Sequence, residues 1–97
     1  MPRFVIEREM PGVGQLTQAD LQGASRKSCD VIDALGPKIQ WVESYVTNDK
    51  IYCVYQAPSK DLLLQHAEKA GFPANRIEEI KHVINPVTAE EAVADPV

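Results

Sequence analysis

The chain has 97 residues, of which 44% are hydrophobic and 25% charged, and carries a formal net charge of −4. That length fits one domain and not two. The acidic balance and scattered basic residues, with Arg26-Lys27 the only adjacent pair, exclude a general nucleic-acid binder, which needs clustered cations to neutralise phosphate.

A chain of this size buries roughly 60–65% of its unfolded surface. That is enough for one core but not for a deep private active site, so a cleft forms more easily between two copies. The first ten residues carry Glu7 and Glu9 and no long apolar run. They fit neither a signal peptide nor a membrane span, and a cytoplasmic location with no membrane partner is expected. Cys29 and Cys53 lack metal-type spacing and are expected to be reduced core residues.

In chain order, residues 3–9 form the first expected strand, broken by Pro11-Gly12-Val13-Gly14. Thr17 offers a helix N-cap with Asp20 three residues on. Small or apolar residues at Leu21, Ala24, Ser25, Ser28, Ile32 and Leu35 recur at helical spacing. Gly36-Pro37 is a stop signal. Residues 39–47 and 50–56 are two strands joined by Asn48-Asp49, expected as a two-residue type I′ turn with positive φ. Pro58 ends the hairpin, and Ser59 caps a second helix, Lys60 to Ala70, stopped by Gly71. Residues 77–84 give the last strand. Residues 1–86 make one domain, and 87–97 an acidic tail, frayed or forming one short helix capped by Thr88.

The two-residue turn fixes a register in which Val46 faces Ile51, Tyr45 faces Tyr52, Ser44 faces Cys53, Glu43 faces Val54, Val42 faces Tyr55 and Trp41 faces Gln56. Side chains alternate across a strand. One face then holds Val42, Ser44, Val46, Ile51, Cys53 and Tyr55, an apolar set suited to lie under helices. The other mixes Trp41, Tyr45, Tyr52 and Val54 with Glu43 and Gln56.

The order β-α-β-β-α-β is the split βαβ pattern of an α+β, ferredoxin-like fold: a four-stranded antiparallel sheet with both helices on one face. Val5 joins Trp41, Tyr45, Tyr52 and Val54 on the uncovered face. Apolar patches beyond a few hundred Å² are rare on monomers, so a homodimer, sheet against sheet, is expected. It would enclose Glu7, Glu43 and Gln56 in a dimeric α/β barrel.

The stretches from Pro2 to Glu9, Ile39 to Val46 and Asp49 to Pro58, with His66-Ala67 and Gly71 to Ile77, resemble a bacterial domain family of unknown function labelled nickel-binding-protein-like. The resemblance covers residues 2–88. It implies a dimeric barrel of two ferredoxin-like protomers and a transition metal such as nickel as cofactor. It also implies a His-x₃-His pair on the second helix, with His66 as the metal ligand, and an acidic residue just before Ala57-Pro58. Ala70 and Gln56 occupy the second-histidine and acidic positions, and the first strand has no histidine. Loss of imidazole and carboxylate donors weakens Ni²⁺ binding.

Residue chemistry leaves two functions open. One is a small binding protein whose inter-sheet cavity takes a metal or a small ligand, lined by Glu7, Trp41, Glu43, Tyr45, Tyr52 and Gln56. The other is a cofactor-independent enzyme of oxygenase or isomerase type. There a buried Glu7 or Glu43 with raised pKa would act as base, and the tyrosines would donate. Glu7 paired with a cation such as Lys81 is the structural counterpart of both. No Ser-His-Asp order suggests a hydrolase, and Pro11-Gly12-Val13-Gly14 is not a phosphate loop.

Overall fold

The structure is a computed structural model that describes residues 1–35 and 38–90. Strand β1 (Arg3–Glu9) leads through a 3₁₀ turn at Val13–Gln15 into helix α1 (Gln18–Leu35). The hairpin β2 (Gln40–Val46) and β3 (Lys50–Gln56) follows, then helix α2 (Lys60–Ala70) and strand β4 (Arg76–Ile80). A second 3₁₀ turn spans Pro86–Glu90. The sheet order is β2-β3-β1-β4 with every neighbouring pair antiparallel, which makes the fold α+β and ferredoxin-like.

Local chemistry sets the helix ends. Thr17 Oγ1 accepts from the Asp20 amide and Asp20 Oδ2 accepts from the Thr17 amide, each at 3.2 Å, a reciprocal capping box. Ser59 Oγ accepts from the Leu62 amide. Gly71 closes α2 in the left-handed region at φ 74°, where a glycine carries no Cβ penalty. The expected stop at Gly36-Pro37 lies outside the described residues.

The core lies between the helices and one sheet face. Phe4, Ile6, Ile39, Cys53, Tyr55, Leu63 and Ile77 are buried there, with Ile32, Leu35 and Trp41 packed against them. Cys29, expected in the core, is exposed on α1.

Three strand expectations are corrected. Among the described residues no non-glycine residue has positive φ, so Asn48-Asp49 does not form a type I′ turn. Instead Thr47 Oγ1 accepts the Lys50 amide at 3.1 Å, and the turn docks on the loop after β1, with Met10 N donating to Asp49 O and Gly14 N to Asn48 O. Gly14 is obligatory in this packing: a Cβ there would sit 2.8 Å from Asn48 Cα and from Thr47 O. The register holds from Val46↔Ile51 to Glu43↔Val54, then shifts at a bulge, so that Trp41 faces Tyr55 and Gln40 faces Gln56. One extra residue inverts the alternation beyond it, so Trp41 turns to the helix side while Val42 is exposed. Strand β4 stops at Ile80, leaving His82 on an exposed segment. In the tail, Asn85 Oδ1 accepts from the Val87 amide and Thr88 Oγ1 from the Asn85 amide. Asn85, not Thr88, therefore caps this turn, and residues 91–97 lie outside the described residues.

Candidate functional site

The open sheet face brings together five of the residues singled out for ligand binding. Glu7 pairs across the sheet with Tyr52, Glu43 with Val54, Tyr45 with Tyr52, and Gln56 with both Arg3 and Gln40. Glu7 makes an ion pair with Lys50 at 2.9 Å, with the Lys50 and Glu7 side chains 39% and 27% exposed. The partner is thus Lys50 and not Lys81, which pairs with Glu79. The hydrogen bond from Lys50 holds the Glu7 carboxyl below its ordinary range, and burial opposes this only in part. In this chain Glu7 is therefore a charge partner, and lacks the raised pKa that a base near neutrality requires.

Tyr45 donates its hydroxyl to Glu43 Oε2. That bond, followed by desolvation and the Glu43 charge, raises the phenol above its ordinary value. With its amide oriented to satisfy both neighbours, Gln56 accepts from Arg3 Nε at 3.0 Å and donates to Gln40 Oε1 at 3.1 Å.

Trp41 is separated from this set. The bulge places it on the other side of the sheet, where its Nε1 donates to Ser44 Oγ at 2.9 Å. There it lines a cavity of about 200 Å³ between α1 and the sheet, together with Arg8, Ser28, Cys53, Tyr55 and Phe72.

Beside the cavity lies a buried polar cluster. Arg8, Ser28 and His66 are 2%, 4% and 0% exposed. Ser28 Oγ lies 3.0 Å from His66 Nε2, and the Tyr55 and His66 rings are 5.3 Å apart. Arg8 donates from one terminal nitrogen to Pro73 O at 2.6 Å and lies over the Phe72 ring. Burial and the neighbouring Arg8 charge hold His66 below the ordinary imidazole value, against the Ser28 hydrogen bond, so the ring is neutral at pH 7. Burial and then Cys53 push the Tyr55 phenol up, partly offset by Ser28 and Arg8.

Pattern reasoning missed Arg8, although its signal was present. Residues 4, 6 and 8 share one strand parity, and Phe4 and Ile6 point into the core, so Arg8 must follow them.

The SCO4226-like family, described as nickel responsive protein SCO4226-like, matches residues 4–80. The chain belongs to the SCO4226-like family. The crystal structure of SCO4226 from Streptomyces coelicolor A3(2) is similar to it at 21% identity with a TM-score of 0.72, over 84% of this chain and 99% of that one. At that identity the likeness carries the fold alone. No curated protein matches.

Against the family's name stands the donor set of this SCO4226-like chain. Among the described residues no group of three or more His, Cys, Asp and Glu side chains is placed to hold a metal ion. His66 lies in the core with Nε2 against Ser28, and Ala70, one turn on, is itself buried and offers no donor. The described residues of this chain therefore do not fit a nickel site. Among them, no helix is long and apolar enough to cross a membrane.

Proposed function

We propose that this SCO4226-like protein is a small binding protein that works as a homodimer, two sheets face to face, and takes a small ligand in the enclosed space. Glu7, Glu43, Tyr45, Tyr52 and Gln56 line that space. The observation that carries the reading is the uncovered sheet face. Among the described residues no helix covers it, yet it presents Val5, Tyr52 and Val54 half-buried and Tyr45 55% exposed. An apolar and aromatic surface of this kind, rimmed by charge, is a recognition surface. Its charges alternate in sign, with Lys50 beside Glu7 and Arg76 beside Glu78, a pattern that a two-fold axis makes self-complementary.

The donor set favours an organic ligand over Ni²⁺. The open face offers carboxylates, phenols and amides without imidazole, whereas nickel sites draw on imidazole-type nitrogen.

Light scattering coupled to size exclusion tests the pairing. A wild-type dimer at micromolar concentration is expected, and Tyr45→Asp, which would bury an unpaired charge in the interface, is expected to be monomeric. A wild-type monomer overturns the dimer. Metal analysis of tag-free protein incubated with Ni²⁺ tests the ligand class. Less than about one tenth of an equivalent per protomer is expected, and a full equivalent would restore nickel as the ligand.

A further inference from the structure

The cavity beneath α1 lies on the helix side of the sheet, away from the face assigned to pairing, and its chemistry is different. Its walls are mostly apolar: Val13, Leu16, Leu21, Ala24, Ile51 and Phe72 contribute to them. Set into these walls is the side chain of Arg8, 2% exposed. Long charged residues are almost never fully buried unless paired. Arg8 forms no ion pair among the described residues, and its second terminal nitrogen, Nη2, has no hydrogen-bond partner. Its other contacts are one carbonyl, Pro73 O, the face of Phe72 and the neighbouring Tyr55 hydroxyl. None of these neutralises a full positive charge.

Two further donors border the same space. Ser28 and Tyr55 both line the cavity. His66 supplies Ser28 with a partner at Nε2 while its Nδ1 has none. A hydroxyl rotates to suit its partner, so Ser28 and Tyr55 each bring a donor to the cavity wall.

We infer that this cavity is a binding site for a small apolar monoanion, a carboxylate carried on one aromatic ring or a short alkyl chain, with Arg8 as its charge partner. The size agrees. A dry apolar cavity of about 150 Å³ accepts benzene, and this space is about 200 Å³, leaving room for one ring and one carboxylate but not for a drug-sized molecule. The head group follows from Arg8, because guanidinium–carboxylate hydrogen bonds are charge-assisted and strong in a low dielectric. The body follows from the apolar walls.

The chain carries its own reporter, since its single tryptophan, Trp41, lines the cavity. Titration of the full chain with benzoate or hexanoate is expected to change Trp41 fluorescence saturably, with a Kd below about 1 mM. Benzamide, the uncharged counterpart of benzoate, is expected to bind at least about tenfold more weakly, and sodium chloride at matched concentration to give no saturable change. No response to either carboxylate, or equal affinity for benzoate and benzamide, overturns the proposal.

Arg8→Met removes the charge, keeps the bulk, and is expected to lose benzoate binding while folding, because an apolar side chain replaces a buried unpaired ion. Ala24→Leu fills the cavity from α1 with a good helix former and leaves Arg8 in place. It is expected to abolish binding, and unchanged benzoate affinity in this variant overturns the location even where Arg8→Met does not fold. Light scattering on the same samples separates this site from the sheet pairing. A monomer that binds benzoate defeats only the pairing, and a dimer that does not bind it defeats only the cavity.

Discussion

Glu7 and Arg8 are neighbours in β1, yet they belong to two different solvents. On the open face Glu7 keeps part of its hydration and meets Lys50 at 2.9 Å. On the covered face Arg8 has lost its water, and the protein supplies one carbonyl, one aromatic ring and the Tyr55 hydroxyl, none of them a negative charge. The alternation of a strand puts successive side chains on opposite faces, so one residue step moves a charge from a screened surface pair to an uncompensated interior. An exposed pair contributes little to stability. A buried unpaired ion is costly, and it persists where something other than stability retains it. On that ground the covered face, and not only the open one, is a place to look for function.

The contrast breaks most sharply at the core. Leu63 on α2 is fully buried, and Leu63→Ala is expected to cost about 2–5 kcal/mol in urea unfolding through the lost transfer energy and the cavity left behind. A cost below that range would mean that the helix layer over the sheet is loosely held.

Next in size is Gly14→Ala. Its Cβ would meet the backbone of the Asn48 turn at 2.8 Å, and backbone yields less readily than a side chain. A loss of about 1–3 kcal/mol is expected. A neutral result would show that the turn is not docked on the loop after β1.

A third test sets His66 against pH. Its folded-state pKa lies below the ordinary value of 6.5, so between the folded and unfolded values the unfolded chain binds the proton and the folded chain does not. Stability therefore falls as pH drops through about 6.5 toward 5. The groups facing the ring are Arg8 from β1, Tyr55 from β3 and Ser28 from α1, and none is a carboxylate that would offset the new charge. Urea midpoints measured from pH 7.5 to 5 are expected to fall in the wild type and to flatten in His66→Gln. Identical slopes would remove His66 from the account.

The smallest effect belongs to the open face. Glu7→Gln is expected to lower the melting temperature slightly, by an amount that shrinks as salt is added, because the Lys50 pair is partly exposed and screened. The Glu7 carboxyl is held low by Lys50, so its contribution is present above the ordinary carboxylate pKa and is lost as pH falls through the lower folded value. A rise in melting temperature on Glu7→Gln would instead mark Glu7 as a residue retained at a cost to stability.

Much of this was legible in the residues. Thr17 and Asp20 announced the start of α1, Ser59 and Gly71 the two ends of α2, and the alternation of β1 and β3 the helix-covered set. Those signals are local: a cap needs only its own turn, and a strand face only the parity of its residues. On the site, the sequence grouped Glu7, Glu43, Tyr45, Tyr52 and Gln56 on one face, and the register places them so, because Glu43 and Tyr45 lie on the turn side of the bulge and Glu7, Tyr52 and Gln56 lie on β1 and β3, which pair without one.

Trp41 shows where local reasoning ends. Nothing in Gln40-Trp41-Val42-Glu43 marks an extra residue in the ladder. The bulge is settled by what the indole gains on the helix side, packing on the core and a bond to Ser44, a sum over distant neighbours that no window of sequence contains. The same holds for the turn at Asn48-Asp49, whose backbone is set by docking on Gly14 and Met10.

By itself the sequence determined the element order, the helix ends and the two-faced sheet, because capping, turn chemistry and strand parity act over a few residues. Only the tertiary structure decided that Arg8, Ser28, Tyr55 and His66, drawn from two strands and two helices, meet beside one cavity. It decided this because burial and charge compensation depend on which surfaces close over a side chain, and that closure is a property of the whole packed fold.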